Sequence, residues 1–299
     1  MSTARERFLA FRRTVPHAPR LDRQNVRAQG IEFAVFSSPP VGHAPPLLCV
    51  NGGLIVDHVM LWPSLSPLAA HRQLILYDQR GRGASKPPAD PLAARIGDDA
   101  SDIPALRRAL GIRQWDVLGH SWGGGIAMLA AAQDPAGTRR LVLADAVGAT
   151  SAWMSPLRAE AMRRSTPDDR AVLAAIDDAA LGHPDPEVHL AHLRASYGAW
   201  FVDQAFASTF PMPRVASQTG SAVLAQLRRD GYDWRDRVRT IAAPTLLLHG
   251  DGDALAVDTA RDNLALIPRA RLEVMPQCGH FPFWEAPEPF FAAIESFLA

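Results

Sequence analysis

The sequence contains very little cysteine. Among its 299 residues only Cys49 and Cys278 carry a thiol, too few for the disulfide framework that stabilises many small secreted domains. Cys49 also lies in an apolar run that is typical of a buried strand. We therefore expect a reducing, cytoplasmic location.

Long apolar runs and an excess of one charge are also missing. No uninterrupted apolar stretch reaches the roughly 18 residues of a membrane span, and Lys+Arg equals Asp+Glu at 31 each. Binding to nucleic-acid phosphates or to an anionic membrane needs a basic surplus. We therefore expect neither a nucleic-acid partner nor a membrane partner.

The N-terminal segment, residues 1–24, is rich in arginine but lacks the apolar core of a signal peptide. Its low apolar content and Glu6 favour a surface arm or a short helix over a transit peptide. We treat it as an N-terminal arm that precedes the folded core.

From Asn25 onward, short apolar runs alternate with helical patterns. A turn signal at Gln29-Gly30 predicts a β-hairpin. Near-continuous apolar runs, which strands covered on both faces require, follow at 47–50, 73–77, 115–118, 141–143 and 245–248. Helical spacing is found at about 101–110, 122–132, 257–266 and 287–298. This alternation predicts a doubly wound α/β fold with a mostly parallel sheet.

Residues 150–239 interrupt the alternation. This stretch contains several segments with helical periodicity, is punctuated by prolines and has no convincing strand pattern. We predict a helical lid here, inserted into a core formed by residues 25–149 and 240–299.

The segment Gly119-His120-Ser121-Trp122-Gly123 has the pattern G-x-S-x-G between a predicted strand and a predicted helix. This strand-turn-helix context is what the motif requires. The turn would present the Ser121 hydroxyl above the sheet, and the flanking glycines avoid collisions with the strand and the helix. Ser121 is therefore the candidate nucleophile.

A serine hydroxyl needs a general base, and the base needs an orienting acid. His280 follows a strand-like run, and Asp253 lies in the loop after the 245–248 strand. Both loops are at the carboxyl edge of the sheet, where such folds place their ligands. We favour Asp253 over Asp251 because it lies further into its loop, and we keep Asp145 as an alternative acid.

Two backbone N–H groups are candidates for binding a developing oxyanion. Trp122 follows the nucleophile at a helix N-terminus, and Gly53 lies in the glycine-containing loop after the 47–50 strand. This set of groups needs no metal and no organic cofactor. His183, His189 and His192 form the alternative metal cluster, but without a metal-binding motif we expect them to be solvated lid residues.

Together these motifs resemble the α/β-hydrolase superfamily, and within it the proline iminopeptidase branch. The resemblance covers about 26–147 and 240–298; the branch-like pieces are Asp78-Gln79-Arg80-Gly81-Arg82-Gly83-Ala84-Ser85 and the Ser-Trp-Gly turn. It implies an α/β-hydrolase fold and the chain order Ser, Asp, His for the triad. The branch usually has HGGPG in the oxyanion loop, whereas here Asn51 and Leu54 replace its histidine and proline.

The resemblance implies a serine hydrolase that cleaves an amide or an ester of a small molecule or short peptide. The most specific version is a proline iminopeptidase-like aminopeptidase, whose lid would bind the substrate ammonium with a carboxylate such as Glu160 or Glu187. Alternatively, Trp153, Trp200 and Phe201 would line the acyl pocket of a carboxylesterase. A lactonase or carbon-carbon hydrolase would use the same triad, and a non-catalytic ligand-binding protein is the remote alternative. The oligomeric state is left open.

Overall fold

The structure, a computed structural model, describes residues 2–210 and 212–299. Its strands are β1 Asp22–Ala28, β2 Ile31–Ser37, β3 Leu47–Val50, β4 Leu74–Tyr77, β5 Trp115–His120, β6 Thr138–Ala144, β7 Thr245–Gly250 and β8 Ala270–Met275. They form one eight-stranded sheet in the order β1-β2-β4-β3-β5-β6-β7-β8. The strands from β4 to β8 in that order are parallel, whereas β2 is antiparallel to both of its neighbours.

The central strands are buried along their whole length because helices cover both faces of the sheet. Every residue of β3, β4, β5 and β7 is buried, which explains their near-continuous apolar composition. The hairpin at the sheet edge turns at Gln29 and Gly30, whose φ angles are +50° and +74°. Two successive positive φ angles are typical of a type I′ turn, which suits the twist of a hairpin. The prediction of an α/β fold with a mostly parallel sheet is confirmed.

The helices lie before, between and after the strands. They are α1 Ala4–Thr14, α2 Ile96–Ala109, α3 Trp122–Gln133, α4 Met154–Arg164, α5 Pro167–Ala175, α6 Asp178–Leu181, α7 Pro186–Ser196, α8 Gln204–Ala207, α9 Gln218–Asp230, α10 Arg235–Val238, α11 Asp258–Leu266, α12 Pro282–Glu285 and α13 Pro287–Leu298. Within the described residues, none of them combines the length and the apolar character that crossing a membrane requires.

Residues 150–239, called the lid from here on, connect β6 to β7. Their described part is built from helices α4 to α10, and its β pairing is limited to the isolated bridge between Thr150 and Asp233. The helical pattern seen in the sequence is therefore present. We use the term lid for this segment without implying that it moves.

The N-terminal arm contains a well-capped helix that packs on the rest of the molecule. The Thr3 hydroxyl accepts from the Glu6 N–H, and the Glu6 carboxylate accepts from the Thr3 N–H, which satisfies two otherwise unpaired donors. Phe11 stacks on Phe291 of α13 with ring centroids 5.2 Å apart. Phe8 lies 5.5 Å from the ring of Phe206 in the lid. Helix α1 thus contacts both the core and the lid.

Candidate active site

Ser121 occupies a strained turn between β5 and α3. Its φ and ψ angles are +55° and −123°, a conformation that costs a non-glycine residue energy and persists only when the surroundings enforce it. Close packing requires glycine on both sides of this turn. A Cβ on Gly123 would collide with the Val50 carbonyl, and a Cβ on Gly119 would collide with the Gly123 backbone. The turn leaves the Ser121 side chain at the floor of a cavity between the core and the lid.

His280 is paired with Asp253 and lines the cavity that Ser121 also lines. The His280 Nδ1 atom lies 2.7 Å from Asp253 Oδ2, and His280 lines the same cavity as Ser121. Burial acts to raise the pKa of Asp253, but the charge and the hydrogen bond of His280 outweigh it and lower this pKa. Asp253 is therefore an ionised acceptor that fixes the His280 ring with Nδ1 protonated and Nε2 free for chemistry.

Neighbouring groups hold His280 on three sides. The His280 N–H donates to the Trp200 carbonyl at 2.8 Å, and the Trp200 ring lies over the imidazole with centroids 4.4 Å apart. The His120 Nε2 lies 2.8 Å from the His280 carbonyl. Burial and the neighbouring His280 lower the pKa of His120 to about 3, so a neutral His120 donates this hydrogen bond. His120 thus positions the backbone of His280.

The alternative acids are placed differently. Asp251 is exposed, and its carboxylate accepts from the Cys278 N–H at 3.4 Å. Asp145 is fully buried and accepts from the Gly250 N–H at 2.9 Å. Burial and the charge of Asp253 raise the pKa of Asp145, which favours its neutral form. The geometry therefore brings Asp253 to His280.

Asp145, His249 and Asp253 are the one group among the described residues whose donor atoms lie close enough to share a metal ion. Two of those atoms already have partners. Asp253 Oδ2 contacts His280, and His249 Nε2 lies 2.7 Å from the Leu255 carbonyl. The group therefore fits its hydrogen-bonding role better than that of a metal site.

The two candidate oxyanion donors line the cavity with Ser121. Trp122 is the first residue of α3, so its N–H is one of the donors that a helix cannot pair internally. Gly53 has a φ of +79°, a left-handed conformation that glycine adopts without strain. Both residues line the same cavity as Ser121.

A buried arginine that sequence reasoning did not single out supports this loop. Arg82 is fully buried, donates from Nε to the Leu54 carbonyl at 2.7 Å, and binds both carboxylate oxygens of Asp99 at 2.9 Å. Arg80 binds Asp102 in the same two-pronged way. Arg80 and Arg82 therefore connect the loop next to Gly53 to helix α2.

Replacing Arg82 by methionine should destabilise the protein by about 3–5 kcal/mol, because Asp99 would be left as an unpaired buried charge. Denaturant unfolding measures this loss. Arg27→Met is the matched control, since the Arg27 side chain is 87% exposed and its contact to Glu32 spans 3.8 Å. Equal stability of the two variants would contradict the anchoring role of Arg82.

The lid contributes part of the expected substrate-binding residues to the cavity. Trp153 and Trp200 line it, whereas Phe201, Glu160 and Glu187 are outside the lining. Phe201 is buried against other aromatic rings, Glu160 binds Arg163 and Arg164, and Glu187 is exposed at the start of α7.

The expectation that the lid histidines are solvated is wrong for His189. His183 is exposed, but His189 is buried and lines the cavity together with His192. His189 Nε2 lies 3.1 Å from the Leu181 carbonyl of α6. Packing of α7 against its neighbouring helices places the His189 ring inside, a contact that the local sequence does not reveal.

Comparison with known proteins agrees with the fold. A family model described as alpha/beta hydrolase fold matches residues 45–287, and the chain belongs to this family. It is 35% identical over 231 residues to 2-hydroxymuconate semialdehyde hydrolase of Pseudomonas putida, which covers 76% of this chain and 77% of the relative. It is 24% identical over 270 residues to proline iminopeptidase of Heyndrickxia coagulans, covering 86% and 91%.

The fold is shared with solved structures as well. The crystal structure of proline iminopeptidase from Mycobacterium smegmatis superposes with a TM-score of 0.67 at 24% identity, covering 93% of this chain and 97% of that one. The family match makes the chain a member of a hydrolase superfamily. The similarity to this solved structure shows a shared fold.

Proposed function

We propose that the protein is a serine hydrolase in which Ser121 is the nucleophile, His280 the general base and Asp253 the orienting acid. The observation that carries this proposal is the 2.7 Å contact between His280 and Asp253 at the cavity that Ser121 lines. Strain at Ser121 and two available backbone donors support the same assignment.

The proposed reaction has two halves. The Ser121 Oγ attacks the substrate carbonyl carbon while His280 Nε2 takes its proton, and the carbonyl oxygen becomes an oxyanion bound by the N–H groups of Gly53 and Trp122. Collapse breaks the bond to the leaving group, which receives the proton from His280. Water then attacks the acyl-enzyme carbonyl while His280 takes its proton. Collapse breaks the bond to the Ser121 Oγ, which receives that proton from His280, and the acid is released.

The cavity favours a small acyl substrate over the N-terminus of a peptide. An aminopeptidase needs a carboxylate to bind the substrate ammonium, and among the described lining residues there is neither Asp nor Glu. We therefore place an ester, or a carbon-carbon bond next to a carbonyl, ahead of a peptide amide.

The similarity to the two named relatives supports a carbon-carbon bond next to a carbonyl more strongly than a peptide amide. The hydrolase of 2-hydroxymuconate semialdehyde shares 35% of aligned residues with this chain, and the proline iminopeptidase shares 24%. The aminopeptidase hypothesis is kept as the second candidate because of that likeness. The two free and buried cysteines, Cys49 and Cys278, fit the cytoplasmic location that we propose.

A paired substrate panel tests this function. We expect 4-nitrophenyl esters to be hydrolysed, because the described cavity lining is mainly apolar and contains no carboxylate that would bind a substrate ammonium. Free and N-acetylated proline 4-nitroanilide are the matched amide pair. Cleavage of the free amide alone would establish the aminopeptidase instead, and an inert protein that binds esters without hydrolysing them would establish the ligand-binding alternative.

A further inference from the structure

We propose that the lid contains a binding site for a substrate carboxylate, formed by the guanidinium groups of Arg158 and Arg228. Both side chains line the cavity that contains Ser121, so this inference rests on the proposed function and names its substrate class. The substrate would present its scissile carbonyl to the core loops and its carboxylate to the lid helices.

Arg228 is the stronger of the two observations. It lies on α9 one turn after Leu224, and both residues line the cavity. Its Nε is buried without a hydrogen-bond partner, and no described residue forms an ion pair with its guanidinium. Burying a charge without a partner is costly, which indicates that a partner arrives with the ligand.

Arg158 brings a second, partly unpaired guanidinium from α4. One nitrogen donates to the Ile176 carbonyl at 2.5 Å and fixes the side chain, while Nη1 is buried without a partner. The nearest carboxylate, Asp178, lies 3.6 Å from Nε, but its side chain is 87% exposed. Water screens an exposed charge strongly, so Asp178 leaves much of the Arg158 charge uncompensated.

The electrostatic effects of the two arginines reach their neighbours. Burial and the charge of Arg158 lower the pKa of Arg228 to about 10, against the opposing effect of Asp178. Burial together with Arg228 and Arg158 lowers the pKa of His192 to about 3. At neutral pH this end of the cavity therefore has two cations beside a neutral His192. The potential repels an ammonium group and attracts an anion.

The chemistry of the walls points to a carboxylate. A guanidinium offers parallel N–H donors that match the two oxygens of a carboxylate. Apolar lid side chains also line the cavity, among them Leu157, Leu193 and Leu224, which suits a short hydrocarbon link between the carboxylate and the scissile carbonyl. The substrate class is thus a small carbonyl compound with a free acid at its far end.

Two esters of similar length test the proposal: the mono-4-nitrophenyl ester of adipic acid and 4-nitrophenyl hexanoate. The readout is the ratio of their kcat/KM values, each corrected for spontaneous hydrolysis. We expect the wild-type ratio to exceed about ten, a factor that one well-placed charge contact supplies. A ratio of one or below would overturn the proposal.

Variants locate the effect. Arg228→Met keeps the length of the side chain but removes the charge, and should lower the ratio at least about tenfold. The ratio of Arg228→Lys should lie between those of the wild type and Arg228→Met. Arg229→Met is the matched control, since Arg229 is outside the lining, binds Asp230 at 3.0 Å and is half-exposed. It should keep the wild-type ratio. An unchanged ratio in folded Arg228→Met would contradict the assignment.

A second measurement decides the question if Arg228→Met does not fold. Adipate should inhibit wild-type hydrolysis of 4-nitrophenyl hexanoate competitively, with a Ki at least about tenfold below that of uncharged 1,6-hexanediol. Equal inhibition would overturn the proposal. If neither ester is hydrolysed, the proposed function fails, and calorimetric titration of the protein with adipate and with 1,6-hexanediol then tests the carboxylate site alone.

Discussion

Replacement of Ser121 by alanine should lower kcat by at least about 10⁴-fold, because the attacking oxygen is lost while binding and the oxyanion donors remain. His280→Ala should cause a loss of similar size, since the two residues act as one unit. The effects should not add in the double variant. Initial rates on a 4-nitrophenyl ester, measured with active-site titration, give these values.

Covalent labelling provides the control for this result. A fluorophosphonate should add once to the wild-type protein, and intact-mass and peptide spectra should place the adduct on Ser121. The Ser121→Ala variant should keep its fold and take up no label. If labelling persisted unchanged in that variant, the nucleophile would be a different residue.

The second large effect concerns the acid. Asp253→Asn should lower kcat by about 10⁴-fold, as expected when an amide holds the histidine in the wrong tautomer. The ionised Asp253 carboxylate accepts from His280 Nδ1 at 2.7 Å, and an amide NH₂ in its place would favour the other ring tautomer. Steady-state kinetics on the same ester measure the loss.

Two neighbouring aspartates give matched controls for Asp253. Asp251→Asn should be nearly neutral, because Asp251 is exposed and an amide oxygen can still accept from the Cys278 N–H. Asp145→Asn should also retain activity, since an amide oxygen can still accept from the Gly250 N–H. A severe loss in either control together with an active Asp253→Asn would move the acid to that residue.

Features encoded by local sequence were predictable. The Gly119–Gly123 turn, the Gln29-Gly30 hairpin and the buried strands each depend on spacing within a few residues, so the pattern suffices. Where buried faces carry polar residues, the apolar pattern does not mark the ends of a helix. Helix α2 begins at Ile96 rather than near Ser101, because Asp99 and Asp102 face Arg82 and Arg80 and interrupt the apolar pattern.

The cavity walls could be predicted only in part. Trp200 and Phe201 are adjacent in the chain, yet one lines the cavity and the other is buried behind it. Arg228 is unpaired because the described residues of α4 and α7 place no carboxylate beside its guanidinium. That depends on packing between distant segments. Local sequence spacing does not show whether a side chain has a partner, so it does not predict a role for Arg158 and Arg228.

The contacts around His280 also bear on how modular such an enzyme is. The Trp200 carbonyl accepts from the His280 N–H, and the N–H groups of Val202 and Asp203 donate to Glu285 at 3.1 and 3.0 Å. Glu285 also accepts from the Gly279 N–H at 2.7 Å. The stretch 200–203 of the lid therefore helps to hold the loop that carries His280. Chimeras that exchange the lid between relatives would have to retain this stretch, because the position of His280 depends on it.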